Sequence, residues 1–421
     1  MKVLVLGSGA KDHAITYLFS QSKLIVDLFV AKGNVGTAAI AKNLPEVDPS
    51  SPESVYNACL KHDINFVFIG TEDPLLTGVI DYLNSRGIDT FGAPKNALKL
   101  EDDRYFARTF TARHNIPTPP YRLFSDESSL SSYLKRHPNQ NFVLKRNAMA
   151  PSRIMVDSSD YDVLMNFGKE ILKNDNLLVE NHISGLPITI TVFTDSDGYL
   201  MLPLCSDYTK SEEDDLGSAT GGMGSICPVP LPTSMHKQLI DNIIEPTLYG
   251  MRVEQFAYKG VLTFSVILTE SGPVLVDYHV RFNDPATQAI VPLIKSDIIE
   301  ILNAMKKNTL KAFNLEVSTK SAVAVVVASK GYPDNPELGK VVEPLPLIIR
   351  DNTFSPMPRV FYGAVFDKEG KQVTVGGRNV TIVGIADNII EANKQAYDYI
   401  ESVKFEGSWY RKDIGNKFFE N

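Results

Sequence analysis

The sequence predicts an α/β protein of several domains with a parallel sheet at its N-terminus. Three short apolar runs, 3–6, 29–31 and 66–69, each break into a glycine-bearing turn at Gly7, Gly33 or Gly70 and then into helical spacing. A later pair of β-rich runs, 259–268 and 274–277, is joined by Glu270-Ser271-Gly272 and reads as a hairpin. With 421 residues the chain is long enough for two to four domains with buried cores.

Composition narrows the function. A hydrophobic share of 43% and a charged share of 22% are ordinary for a globular protein. The formal net charge of -8 opposes broad binding of polyanions, so no nucleic-acid partner is expected and any phosphate must be held by a local cluster. Cys59, Cys205 and Cys227 are scattered without metal-type spacing, which reads as reduced thiols in the cytoplasm. The run 3–6 is too short for a signal segment, and no apolar span has membrane length, so no membrane partner is expected either.

Taken in order, Gly7-Ser8-Gly9 follows the first strand and opens a helix through His13, a place suited to an anion. It lacks the third glycine of the dinucleotide fingerprint and is not read as an NAD site. Ligands of parallel sheets gather at the strand carboxyl ends, here the Gly7, Gly33-Asn34 and Gly70 loops. A helix is expected from Asn96 to about His114, and the prolines at 117, 119 and 120 mark the first boundary. A smaller α/β unit follows from Tyr121 to roughly Thr189. In it Lys145 closes one apolar strand, to meet a phosphate or to snorkel, and Glu180 closes another.

Residues 212–215 are four consecutive acids, expected as a solvated mobile loop. Thr220-Gly221-Gly222-Met223-Gly224 has three glycines in five residues, expected as a tight loop approaching another group closely. In the second arm of the hairpin, alternation puts Asp277, His279 and Arg281 on one face, and Asn283-Asp284-Pro285 turns the chain at its mouth. An amphipathic helix is expected around 298–305, and a last α/β region from residue 321. There Gly376-Gly377-Arg378 turns the chain, with Arg378 available to a phosphate or simply solvated.

These pieces, in this order, resemble the phosphoribosylamine–glycine ligase family of ATP-grasp enzymes along essentially the whole chain. The resemblance rests on Gly7-Ser8-Gly9 with His13-Ala14, Gly33-Asn34 with Gly36-Thr37, 70–74, Phe91-Gly92, 220–224, Arg281-Phe282, Asp284-Pro285, Thr287-Gln288, 330–333, 376–378 and 410–415. It implies an ATP-grasp fold: an N-terminal parallel-sheet domain over 1–118, a lid over 119–189, a core over 190–320 and a C-terminal α/β domain over 321–421. It also implies ATP-dependent joining of glycine to 5-phosphoribosylamine through a glycyl phosphate, with ATP and Mg2+ or Mn2+ as cofactors, in a cytoplasmic monomer. Carried over residue by residue, it implies ATP contacts at Arg104, Lys145, Arg153, Glu180 and Ile183, and metal ligands at Asp277 and His279. Phosphoribosylamine falls to Gly7, Ser8, Gly9, His13, Gly33, Asn34, Gly376 and Arg378. Arg281, Asp284, Thr220, Gly221 and Gly222 flank the reacting carboxylate.

The sequence departs from the family on the ATP side. Asp277 and His279 stand where the family has Glu and Asn, and imidazole leans toward transition metals. The lid reads Arg146-Asn147-Ala148-Met149-Ala150-Pro151-Ser152-Arg153 where a glycine-rich loop with a lysine is expected, and Pro187 replaces the carboxylate that grips the ribose. Two alternatives therefore accompany the ligase reading: a weak or silent relative that binds a phosphorylated sugar, and a ligase for another carboxylate and amine.

Overall fold

A computed structural model describes residues 1–149, 155–195, 197–256, 258–347 and 357–419. The N-terminal apolar runs are buried without alternation, as strands covered on both faces must be, and they pair in parallel. Their sheet has the order Lys42–Asn43, Asp27–Lys32, Lys2–Gly7, Phe66–Ile69, Asp89–Phe91. Because the order reverses on either side of Lys2–Gly7, a crevice opens off its carboxyl end. Gly7 and Gly70 flank that crevice, and Lys11 Nζ donates to the Gly70 carbonyl at 2.6 Å.

The single helix expected from Asn96 to His114 is two, Lys95–Asp102 and Arg104–Arg113. Asp103 lies between them in extended conformation, and its carboxylate caps the second helix by accepting from Phe106 N at 2.9 Å. The break turns Arg104 and Arg108 into the cleft described below.

Beyond the prolines, Tyr121–Phe124, Leu177–Asn181, Phe142–Arg146 and Met155–Ser158 form a small antiparallel sheet in that order. Helices Glu127–Arg136 and Tyr161–Leu172 cover it, and Leu130, Leu144, Leu164 and Leu177 belong to a core of its own.

The central sheet runs Tyr199–Met201, Leu186–Thr194, Gly260–Thr269, Gly272–His279, all antiparallel. One face buries Ile188, Ile190, Leu262 and Phe264. The other carries two polar rows, Thr189–Ser265–Asp277 and Thr191–Thr263–His279, set by the register of the three strands. A bulge separates the Val266–Leu275 pair from Ser265–Asp277, leaving Val276 outside the ladder. The expected face is therefore real for Asp277 and His279. The strand, however, ends at His279, and Arg281 extends that face from just beyond it.

The third sheet was not legible from the chain order. Ser206–Lys210 and Ala219–Cys227 leave the central segment and pair with Ser321–Ser329, Arg378–Ala386 and Arg359–Tyr362. The acid run 212–215 is exposed as expected, but it is anchored: Asp215 takes Arg411 Nη1 at 3.1 Å and Lys417 Nζ at 2.8 Å. Among the described residues no helix is long and apolar enough to cross a membrane.

Candidate active site

The small antiparallel sheet and the central sheet meet in a cleft closed by charge. Lys145, at the end of its strand, donates to the Val276 carbonyl at 2.9 Å and lies 2.8 Å from Asp277 Oδ2 and 3.0 Å from Glu180 Oε2. The bulge supplies that carbonyl, which also accepts from Arg108 Nη2. Arg108 pairs with Glu180 through its Nε, and both side chains are 2% exposed. Arg104 Nε stands 3.6 Å from Asp277 Oδ1, while its Nη1 donates to the Arg146 carbonyl at 2.9 Å at the end of the strand Phe142–Arg146. Burial raises the Asp277 pKa, but Lys145, Arg104 and Arg108 outweigh it and hold the group well below the usual carboxylate range. Three cations against two carboxylates leave a net positive cleft, the charge a polyphosphate needs. Ile183 is half-buried in the turn after Leu177–Asn181, beside Glu180; Arg153 lies outside the described residues.

Next along the same face, Glu101 gathers three partners. Its Oε1 lies 3.0 Å from His279 Nδ1 and 2.8 Å from Arg281 Nη2, and its Oε2 accepts from Val280 N at 2.9 Å. Burial pushes the Glu101 carboxyl up, yet Arg281 and His279 bring it down to about 2. Arg281 Nη2 also meets Glu72 Oε1 at 2.6 Å. With Nδ1 on a carboxylate, His279 turns Nε2 to Ser265 Oγ at 3.2 Å, a long and easily exchanged contact. A carboxylate behind the imidazole is the arrangement that supports metal-ligating histidines. Asp277 and His279 together offer a hard oxygen and an imidazole nitrogen on one face, while among the described residues no group of three or more His, Cys, Asp or Glu forms a metal cluster.

The glycine-rich segment 220–224 is not a loop: it lies inside the strand Ala219–Cys227. Its glycines answer to neighbours rather than to a turn. Gly222 has φ +108°, and a Cβ there would sit 2.4 Å from Pro285 Cδ; one on Gly221 would sit 2.8 Å from Arg378 Nη2. Close approach was the correct part of the expectation, and the loop the incorrect part. Arg378 begins its strand half-buried beneath this segment, with Nη1 donating to the Gly221 carbonyl at 2.6 Å and lying 2.9 Å from Asp284 Oδ1. It is not a solvated hairpin arginine. Thr220 Oγ1 accepts from Gly222 N at 3.0 Å, and Tyr332 Oη accepts from Gly221 N at 2.9 Å.

At the N-terminal loops the side chains build the cradle more than they face it. Asn34 Nδ2 donates to the Ser8 carbonyl at 2.9 Å and the Tyr362 carbonyl at 2.6 Å, while its Oδ1 accepts from Gly36 N at 2.8 Å. His13 Nδ1 accepts from Tyr362 N at 3.0 Å, and burial lowers its pKa to about 3, so the ring is neutral. The Gly376 carbonyl accepts from Ser329 Oγ at 3.2 Å. Gly33 N donates to the Gly7 carbonyl at 3.0 Å, joining the first two loops. Gly9 N, the donor nearest the expected anion position, is taken by Asp12 Oδ2 at 2.9 Å. Burial raises the Asp12 pKa to about 6, against the pull of Lys11.

Arg108, Glu101, Glu72, Asp12 and Tyr332 were missed from sequence. Only Asp103, an N-cap ahead of Arg104, offered a local signal for the first. Glu101, Glu72 and Tyr332 meet partners far along the chain, the last two from within the segments 70–74 and 330–333, whereas Asp12 binds Gly9 N three residues away.

Residues 1–101, 102–287 and 322–417 match the N domain, the ATP-grasp (A) domain and the C domain of phosphoribosylglycinamide synthetase. The chain is 34% identical to the phosphoribosylamine–glycine ligase of Caldanaerobacter subterraneus subsp. tengcongensis, over 98% of this chain and 99% of that protein. It is 32% identical to the phosphoribosylamine–glycine ligase of Chlorobaculum tepidum, over 99% and 100%. The crystal structure of phosphoribosylamine–glycine ligase from Thermotoga maritima superposes with a TM-score of 0.80 at 27% identity, covering 98% of this chain and 100% of that one. A biotin carboxylase from Campylobacter jejuni, at 13% identity and TM-score 0.72, shares the fold.

Proposed function

The chain belongs to the phosphoribosylglycinamide synthetase family of ATP-grasp ligases, and on that premise we propose how its residues divide the work of joining glycine to 5-phosphoribosylamine. The observation that carries the nucleotide half is the convergence of Lys145, Arg104 and Arg108 on Asp277 and Glu180 between two sheets. A glycine carboxylate oxygen attacks the γ-phosphorus of ATP, the bond to the β-phosphate oxygen breaks, and ADP leaves with that electron pair. The amine of phosphoribosylamine then attacks the acyl carbon of glycyl phosphate. Inorganic phosphate departs, and glycinamide ribonucleotide remains.

Lys145 and Arg104 bind the phosphates, exchanging Asp277 for phosphate oxygens without loss of charge balance. Glu180 and Ile183 mark the adenine side. Asp277 and His279 hold a divalent cation, which offsets charge on the transferred phosphoryl group. The imidazole ligand favours manganese over magnesium. Arg281 and Asp284, with Thr220, Gly221 and Gly222, surround the reacting carboxylate. Gly7, Ser8, Gly9, Gly33 and Gly376 bring backbone close to phosphoribosylamine, while His13 and Asn34 hold those loops and Arg378 ties them to Asp284. The protein acts as a monomer in the cytoplasm, the compartment that its free cysteines support.

Expression in a purine auxotroph lacking this ligase tests the proposal. Growth without added purine is the expected result; no growth, from a strain that accumulates the folded protein, contradicts it.

A further inference from the structure

Asp207 lies on the strand Ser206–Lys210 of the third sheet and is 9% exposed. Its Oδ2 accepts from Thr189 Oγ1 at 2.7 Å, while its buried Oδ1 has the Ser225 hydroxyl as its neighbour across the ladder and meets no cation. The other carboxylates of the cleft have cations: Glu180 has Lys145 and Arg108, Asp277 has Lys145 and Arg104, Glu101 has Arg281, and Asp284 has Arg378. Among the described residues, no ion pair joins Asp207 to a lysine, arginine or histidine. A buried carboxylate without countercharge is costly, and a binding site is a place where that cost is removed by a ligand.

The position is informative. Thr189 heads the polar row Thr189–Ser265–Asp277, so Asp207 meets the central sheet on the face that carries the nucleotide residues. Asp284 and His279 lie close enough to act on its charge, and Asp284 acts in turn on Arg281. Arg281 Nε is itself buried without a partner. A carboxylate without countercharge and one unanswered guanidinium N–H on a shared face are complementary to an ammonium and a carboxylate joined by a short carbon link.

We propose that Asp207 binds the ammonium group of the amino-acid substrate and so selects a zwitterion over a simple carboxylate. This rests on the ligase reading, in which Arg281 attends the carboxylate end. Burial raises the Asp207 pKa, against hydroxyl groups of Ser225 and Thr189 that lower it, as suits a group whose countercharge arrives with the ligand.

The test compares wild type with Asp207→Asn, which keeps the size and the bond from Thr189. The variant is expected to raise KM for glycine about ten- to a hundredfold, the range of one charge-assisted hydrogen bond, with KM for ATP within about twofold. An unchanged glycine KM overturns the proposal. Should the variant fail to fold, saturation-transfer NMR on wild type replaces it: glycine should bind at least about tenfold more tightly than glycolate, which has a hydroxyl in place of the ammonium. Equal binding of the two, or binding of neither, overturns the proposal. Glycine binding in a protein that makes no ADP from glycine and phosphoribosylamine removes the ligase reading and supports the site.

Discussion

Replacing Lys145 by methionine is expected to lower kcat/KM for ADP formation by about a thousandfold, the scale on which a preorganised charge acts at a transferring phosphoryl group. Methionine keeps the length and the packing of the stem while removing the ammonium that spans Val276 O, Asp277 and Glu180. Folding should suffer less than activity, because Asp277 keeps Arg104 and Glu180 keeps Arg108. The expected cost is about 2–3 kcal/mol, below the ~3–5 kcal/mol of a buried charge left alone. Thermal shift supplies the binding arm. At a hundredfold excess over Kd, ATP should stabilise wild type by about 2.7 kcal/mol and the variant by far less. A variant that retains activity within about threefold would show that Lys145 closes the cleft without serving the phosphates.

The second large effect is expected at Glu101. Its alanine variant leaves Arg281 with Glu72 alone and removes the acceptors of His279 Nδ1 and Val280 N. A loss of about 3–5 kcal/mol in urea unfolding at pH 7 follows from stripping a buried ion pair of one partner. The pH dependence identifies the cause. Glu101 is depressed from its ordinary 4.5 to about 2, so its contribution is complete above pH 4.5 and is lost as pH falls toward 2. The gap between wild type and variant should therefore narrow from pH 5 to pH 3. A gap that stays constant across that window points to packing rather than charge.

How far these sites were legible depended on how local their causes are. The strands Lys2–Gly7 and Phe66–Ile69 announce themselves by unbroken apolar runs, and the hairpin of Gly260–Thr269 with Gly272–His279 by its turn. Alternation also placed Asp277 beside His279 correctly. The glycines 221 and 222 misled, because what demands them is Arg378 and Pro285, distant in sequence and adjacent in space. Glu101 sits 178 positions from the histidine it orients, and Arg108 sits 72 from Glu180. To a periodicity argument each is an ordinary charged residue on a helix. His13 and Asn34 show the converse: a resemblance marks them, yet their hydrogen bonds go to backbone and fix the loops.

The most direct measurement is ADP release from ATP, glycine and freshly made phosphoribosylamine, run with magnesium and with manganese. ADP and inorganic phosphate in equal amounts, dependent on both co-substrates and accompanied by glycinamide ribonucleotide, is the predicted result. No ADP above the glycine-free background with either metal contradicts the ligase assignment.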